Sequence, residues 1–230
     1  MTPVDTSPPA KLGEPELLDR MRGALGGLPR SVAHPVLLVL SGLPATGKST
    51  LARMLAERLP ACIVASDALR RTLVAKPTYT AEESRLVFDL SHRLTTELLR
   101  RGRNVVFDAT NLRERHRDDL HRIAWVTRSG LLLVRLSASE PVVASRLAQR
   151  ARRRSAATEA GGASNSASEA GLAGIPDVDD SDADWSVYYR MRAEEEPIGR
   201  PHVTVDSSTG LDEGLRKVLR ALALTRRSQE

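Results

Sequence analysis

The stretch Gly42-Leu-Pro-Ala-Thr-Gly47-Lys48-Ser49 sets two glycines five apart, directly before a lysine and a hydroxyl side chain. Such a stretch can wrap a chain of phosphates. The glycines let backbone N–H groups approach an anion, the lysine reaches the outer phosphate oxygens, and the serine offers its hydroxyl to Mg²⁺. Gly42, Pro44, Ala45, Thr46, Gly47, Lys48, Ser49 and Thr50 then line a nucleoside triphosphate, with Lys48 acting on the transferred phosphoryl group. The competing reading is a glycine turn that binds nothing, and the elements on either side decide between the two.

Two aspartates carry the next part of the chemistry. Asp67 follows the apolar run 61–65 and Asp108 follows 104–107. If both runs are strands of one parallel sheet, both carboxylates reach its carboxyl edge, where ligands sit in such sheets. Asp67 can there take the proton of an attacking hydroxyl, or merely cap a helix. Arg70, three residues on, shares its side of a helical turn and can hold a substrate anion or Asp67 itself. Asp108 can act on Mg²⁺ through water, as Asp67 can, or grip the acceptor, with Asn111 beside it as a second substrate contact or as a cap. Arg146, Arg150 and Arg154 recur every four residues, either as a stripe that folds over the γ-phosphate or as a solvated helix face.

These residues need a frame, and the patterning supplies one. Five strand-like runs alternate with helix-like ones: Val36–Ser41, Ala61–Ala65 ending at Ser66-Asp67, Asn104–Phe107, Leu131–Leu136 and His202–Asp206. The first is apolar without alternation, as in a strand buried on both faces, and runs into the glycine loop. A helix from Lys48 to Leu59 follows, stopped by Pro60. Then come a short helix over Leu69–Leu73, a turn at Lys76-Pro77, and a long helix opened by a Thr80/Glu83 capping box and closed at Gly102. The long helix is expected to bury Leu86, Leu90, Leu94 and Leu98. Asn111 with Glu114 resembles the next cap, and Ser139-Glu140-Pro141 opens the helix with the arginines. A helix over Trp185–Glu195, with a Ser181/Asp184 capping box, and one over Leu211–Leu224 complete the frame. Residues 1–30, rich in proline, read as a flexible tail with one short helix near Glu14–Leu25, outside a domain spanning 31–225. The Ala, Ser and Gly-rich stretch 155–174 reads as a flexible insertion in a lid at about 146–180.

Bulk properties narrow the partners. The formal charge of +5 over 230 residues suits phosphates and permits nucleic acid, and an aromatic content of 3% argues against an unaided stacking platform for single strands. The only cysteine, Cys62, reads as core packing in a reducing, cytoplasmic setting, and no membrane span or leader is expected. Asp177-Val-Asp-Asp-Ser-Asp182 lacks the glycine and final glutamate of a calcium loop. His116 and His121, five apart, face different ways on a helix and make no metal pair.

The combination of Gly-Leu-Pro-Ala-Thr-Gly-Lys-Ser-Thr, Ser-Asp67-Ala-Leu-Arg70-Arg, Val-Val-Phe-Asp108-Ala-Thr-Asn111 and Arg146-x-x-x-Arg150 resembles the P-loop kinase family of AAA_33 type, which is similar to the kinase domain of bacteriophage-type polynucleotide kinase. The resemblance covers about residues 36–220. It implies an α/β P-loop NTPase fold, with a five-stranded parallel sheet of nucleoside/nucleotide-kinase type, flanking helices and a mobile lid. It also implies ATP and Mg²⁺ as cofactors, Asp67 as general base, Arg70 near an acceptor phosphate, and Arg150 as the lid cation with Arg146 second. The Asp108 motif is one residue longer here than the family's Asp-Thr-Asn. The expected activity is transfer of the γ-phosphoryl group to a hydroxyl of a small molecule or of a polynucleotide 5′ end. A P-loop ATPase or nucleotide-dependent switch, and a zeta-toxin-like nucleotide-sugar kinase, stay open as alternatives, as does the oligomeric state.

Overall fold

The computed structural model describes residues 13–74, 77–159 and 184–227. In chain order the elements are α1 (Glu14–Ala24), β1 (Val36–Ser41), α2 (Lys48–Ala56), β2 (Ala61–Ala65), α3 (Ser66–Leu73), α4 (Ala81–Arg100), β3 (Asn104–Asp108), α5 (Glu114–Thr127), β4 (Gly130–Ser137), α6 (Glu140–Glu159), α7 (Trp185–Ala193), β5 (Val203–Asp206) and α8 (Asp212–Arg227).

The strands form one parallel sheet in the order β2-β3-β1-β4-β5. Every residue of the central β1 is buried, because alternate side chains enter two different cores. Leu37 and Val39 meet Val105, Phe107 and Leu133 under α1, α3, α4 and α5, while Leu38 and Leu40 meet Val106 and Val134 under α2 and α8. The register sets Asp108 level with Leu40 on one side and Ala65 on the other, so that the first three strands end on one line. At the opposite edge the buried Asn104 accepts from Val36 N (3.0 Å) and donates to Pro60 O (3.1 Å). That side chain holds the strands in register.

Several boundaries differ from expectation. The tail ends earlier than residue 30, because α1 is part of the fold: Met21 is fully buried, with Leu17, Leu18 and Leu25 against the same core. Arg22 binds Glu97 through Nε (3.0 Å) and NH2 (2.6 Å), and Val32 N donates to Gly102 O (2.8 Å). The prolines there mark a helix start, with Pro15 in its first turn, and an extended crossing. Met21→Ala is expected to cost about 2–5 kcal/mol in urea unfolding, the range for emptying a packed methionine site.

Strand β2 stops at Ala65, which puts Ser66 and Asp67 in the first turn of α3. Helix α4 buries Val87, Leu90, Ser91, Leu94, Thr95 and Leu98, and leaves Leu86 exposed. Thr80 accepts from Glu83 N (3.2 Å), but the Glu83 carboxylate turns elsewhere, so only half of the expected box forms. Helix α5 begins without a side-chain cap, and Asp184 itself caps α7 through Val187 N (3.0 Å). Helix α6 runs to Glu159, into the stretch read as an insertion. Residues 1–12, 75–76 and 160–183, with the acidic 177–182 run, lie outside the described residues.

Candidate active site

The loop from Gly42 to Gly47 links the centre of the sheet to α2 and takes a shape that side chains would obstruct. At Gly42 (φ 151°) a Cβ would lie 2.4 Å from Leu136 O, so the loop can rest on β4 only with glycine there. Gly47 (φ 91°) turns the chain into α2 in the left-handed region, and Ala45 (φ 61°) adopts it too. Thr46 Oγ1 and Lys48 Nζ both donate to Leu43 O (2.8 Å each), closing the loop on itself. Gly47 offers no capping side chain and the first turn of α2 has no acidic residue, so the uncapped backbone N–H groups and the helix dipole favour an anion.

Around this loop the structure gathers four of the expected charges. Lys48 and Asp108 are both buried. Burial pushes the Lys48 ammonium down from its ordinary value; Asp108 and then Asp67 push it back up, and Arg150 pushes it down again. Burial pushes the Asp108 carboxyl up, against the pull of Lys48 and of the Ser49 hydroxyl; Asp67 adds to the rise and Arg150 opposes it. Lys48, Asp67, Asp108 and Arg150 therefore share one electrostatic cluster at the carboxyl edge of the sheet, with the Ser49 hydroxyl acting on Asp108.

Other expected site residues have different surroundings. Arg146 donates to Ala45 O (2.9 Å), Ser207 Oγ (2.8 Å) and Ser207 O (2.8 Å), while Ser207 Oγ donates to Thr46 O (2.8 Å). Arg146 thus pins the loop to the end of β5, and the cation one turn further on, Arg150, is the one whose charge reaches Lys48 and Asp108. Arg146→Met would orphan those acceptors; an expected loss of about 1–3 kcal/mol in unfolding free energy, with weaker nucleotide binding, checks this.

Asn111 is fully buried, left-handed (φ 45°), and donates from Nδ2 to Leu40 O (2.7 Å), so it braces the end of β1 instead of capping α5. Its Oδ1 has no hydrogen-bond partner among the described residues. Arg117 is buried and donates to Asn111 O (3.0 Å), Leu112 O (2.6 Å) and Pro197 O (2.7 Å), joining this loop to the segment after α7. The tip of the glycine loop is also packed from outside. Leu43 and Ala45 share a small core with Leu112, Val143, Leu147 and Tyr188, which draws α6 and α7 against it.

Arg70 departs most from expectation. Its NH1 donates to Glu83 Oε1 (2.5 Å), its NH2 to Ser84 Oγ (3.3 Å), and its guanidinium lies over the Tyr79 ring at 4.7 Å. Glu83 also accepts from Thr78 N (2.8 Å), Thr78 Oγ1 (2.6 Å) and Tyr79 N (3.3 Å). The Thr78 hydroxyl and backbone, with Arg70, hold its carboxyl down at about 2, well below the ordinary carboxylate. A depressed acid stabilises the fold above its unfolded value near pH ~4.3, and that contribution is lost as pH falls toward the folded value. Acid unfolding of the wild type is expected to show this loss between roughly pH 4 and pH 2, and Glu83→Gln to flatten that slope.

Away from the site, Cys62 is buried, and its thiol is pushed up to about 11 by that burial, as core packing requires. His116 stacks on Phe88 (5.4 Å between centroids), and no cluster of three or more metal-binding side chains occurs among the described residues. No helix of the described residues is long and apolar enough to cross a membrane.

The family model AAA_33, described as an AAA domain, matches residues 37–172. An uncharacterized protein of Mycobacterium tuberculosis is 34% identical over 134 residues, covering 53% of this chain and 27% of that protein. The chain thus spans little more than a quarter of the length of the curated relatives it matches. Among solved structures, a gluconokinase from Sinorhizobium meliloti aligns with a TM-score of 0.54 at 23% identity, over 86% of this chain and 97% of that one. The APS kinase of Mycobacterium tuberculosis, in complex with AMPPNP and APS, aligns with a TM-score of 0.55 at 16% identity, over 83% and 98%. The likeness to both is one of fold, which in this chain is a five-stranded parallel sheet with flanking helices.

Proposed function

The chain belongs to the AAA_33 family of AAA domains, and from that premise we propose that it is a kinase that moves the γ-phosphoryl group of ATP to a hydroxyl acceptor. The observation that carries this reading is the presence of two carboxylates, Asp67 and Asp108, in the electrostatic field of the glycine-loop lysine. A protein that only holds a nucleotide has no need of a carboxylate placed like Asp67, in the first turn of α3 beyond the end of β2; a hydrolase would turn such a carboxylate on water, and the test below separates the two.

In this reading the loop amides and Lys48 hold the β- and γ-phosphates, and Arg150 adds positive charge as the γ-group transfers. Asp67 accepts the proton of the acceptor hydroxyl while its oxygen bonds to phosphorus and the bond to the β-phosphate oxygen breaks, releasing ADP. Mg²⁺ would be held by the Ser49 hydroxyl and, through water, by Asp108, with the nucleotide's own oxygens completing its shell. The pull of the Ser49 hydroxyl on the Asp108 carboxyl fits such a shared site. The ion supplies charge neutralisation on the phosphate oxygens. The acceptor is a small molecule or a polynucleotide 5′-hydroxyl, and the setting is cytoplasmic.

The test is incubation with γ-labelled ATP, Mg²⁺ and a panel of sugars, nucleosides, nucleotide sugars and 5′-hydroxyl oligonucleotides. Label in an acceptor, above that released as free phosphate, is the expected result. Free phosphate alone, whatever acceptor is present, would contradict the kinase reading in favour of an ATPase or switch.

A further inference from the structure

The pairing of Arg70 bears on which acceptors the site takes, and it rests on the kinase reading above. Arg70 lies one turn beyond Asp67 on α3, and in the kinase reading a cation there would meet an anionic group carried next to the acceptor hydroxyl. Its side chain is 6% exposed and that of Glu83 is 10% exposed, so the two charges face each other largely out of water. The guanidinium is taken on three sides: NH1 by Glu83, NH2 by Ser84, and one face by Tyr79. Glu83 in turn is held by the backbone and hydroxyl of Thr78 and by Tyr79 N. Tyr79 sits at φ 54°, in the left-handed region, which carries its ring over the arginine. An anion seeking Arg70 must therefore compete with a preorganised carboxylate whose other bonds it cannot replace.

We propose that Glu83 is a specificity-determining residue: by holding Arg70 it neutralises the cation beside Asp67, so that the site favours a hydroxyl acceptor without a phosphate next to the reacting group. Small uncharged acceptors fit this wall better than a polynucleotide end does. The wall is built from α3, the turn at 78–80 and the first turn of α4. Its selectivity therefore depends on the Glu83 charge and not on the bulk of that side chain.

The probe is inorganic phosphate, titrated into the full chain loaded with AMPPNP and Mg²⁺ so that the glycine loop is filled. Wild type is expected to show no binding that depends on Arg70. Glu83→Gln is expected to bind phosphate at least about tenfold more tightly, and Arg70→Met in that background to abolish the gain. Glu83→Asp, which keeps the charge, should behave as wild type. Arg70-dependent binding in the wild type, or no gain in a folded Glu83→Gln, would overturn the proposal. Should Glu83→Gln fail to unfold cooperatively, wild type against Arg70→Met decides alone: binding that Arg70→Met removes overturns the proposal, and equal, absent binding upholds it. None of these outcomes bears on γ-phosphoryl transfer, so failure here and failure of the kinase reading are told apart.

Discussion

Asp67→Asn is expected to lower phosphoryl transfer about 10²–10⁴-fold, the usual worth of a general base, and to leave nucleotide binding nearly unchanged. The expectation follows from position. Asp67 is partly exposed in the first turn of α3, beyond the end of β2, and its charge acts on Lys48 and Asp108. Removing its charge takes away the proton acceptor and leaves the loop, Arg150 and Ser49 in place. The split between kcat and the affinity for AMPPNP is the readout. Equal losses in both would mean that Asp67 shapes the nucleotide site instead of serving the acceptor.

Lys48→Met is expected to lower transfer by roughly 10²–10³-fold, as removal of one preorganised charge from a transition state does. It should also change stability in a pH-dependent way. Asp108 is buried, with its carboxyl already raised, and Lys48 is the strongest opposing influence. Without the ammonium the carboxyl rises further. A buried acid whose folded value lies above its unfolded one is destabilising when ionised, so the variant loses stability as pH climbs above about 4. Urea unfolding at pH 4 and pH 8 is expected to differ between variant and wild type by up to roughly 3–5 kcal/mol, the range for a buried charge left unpaired. A constant difference across that range would show that Asp108 is solvated once Lys48 is gone.

The sheet was legible because its strands are short apolar runs that end on polar residues, and β1 and β2 lie where the patterning predicts. The glycine loop was legible because its backbone needs glycine at Gly42 and Gly47, and the cluster of Lys48, Asp67 and Asp108 follows once Asp108 ends β3 and Asp67 opens α3 just past the adjacent β2. What the sequence hid was the identity of partners. Arg70 and Arg146 are both arginines on helices near phosphate-binding elements, and nothing in their spacing says that one meets Glu83 or that the other meets Ser207, 61 residues away. Asn111 resembles a cap locally, yet a left-handed backbone turns its amide onto β1. Leu86 lies one position off the buried face of α4, where Val87 takes the core, a shift of about 100° around a helix that composition alone does not resolve. The prolines around α1 argue for a tail outside the domain, although Leu17, Leu18, Met21 and Leu25 make one apolar face that the core takes up.

The most direct measurement is the partition of the labelled γ-phosphate between acceptor and water, followed in wild type and in Asp67→Asn with the best acceptor of the panel. The account predicts that wild type labels the acceptor, and that Asp67→Asn loses acceptor labelling far more than it loses any slow release to water. Acceptor-independent hydrolysis that is equal in the two proteins, with no acceptor labelled by either, would contradict it.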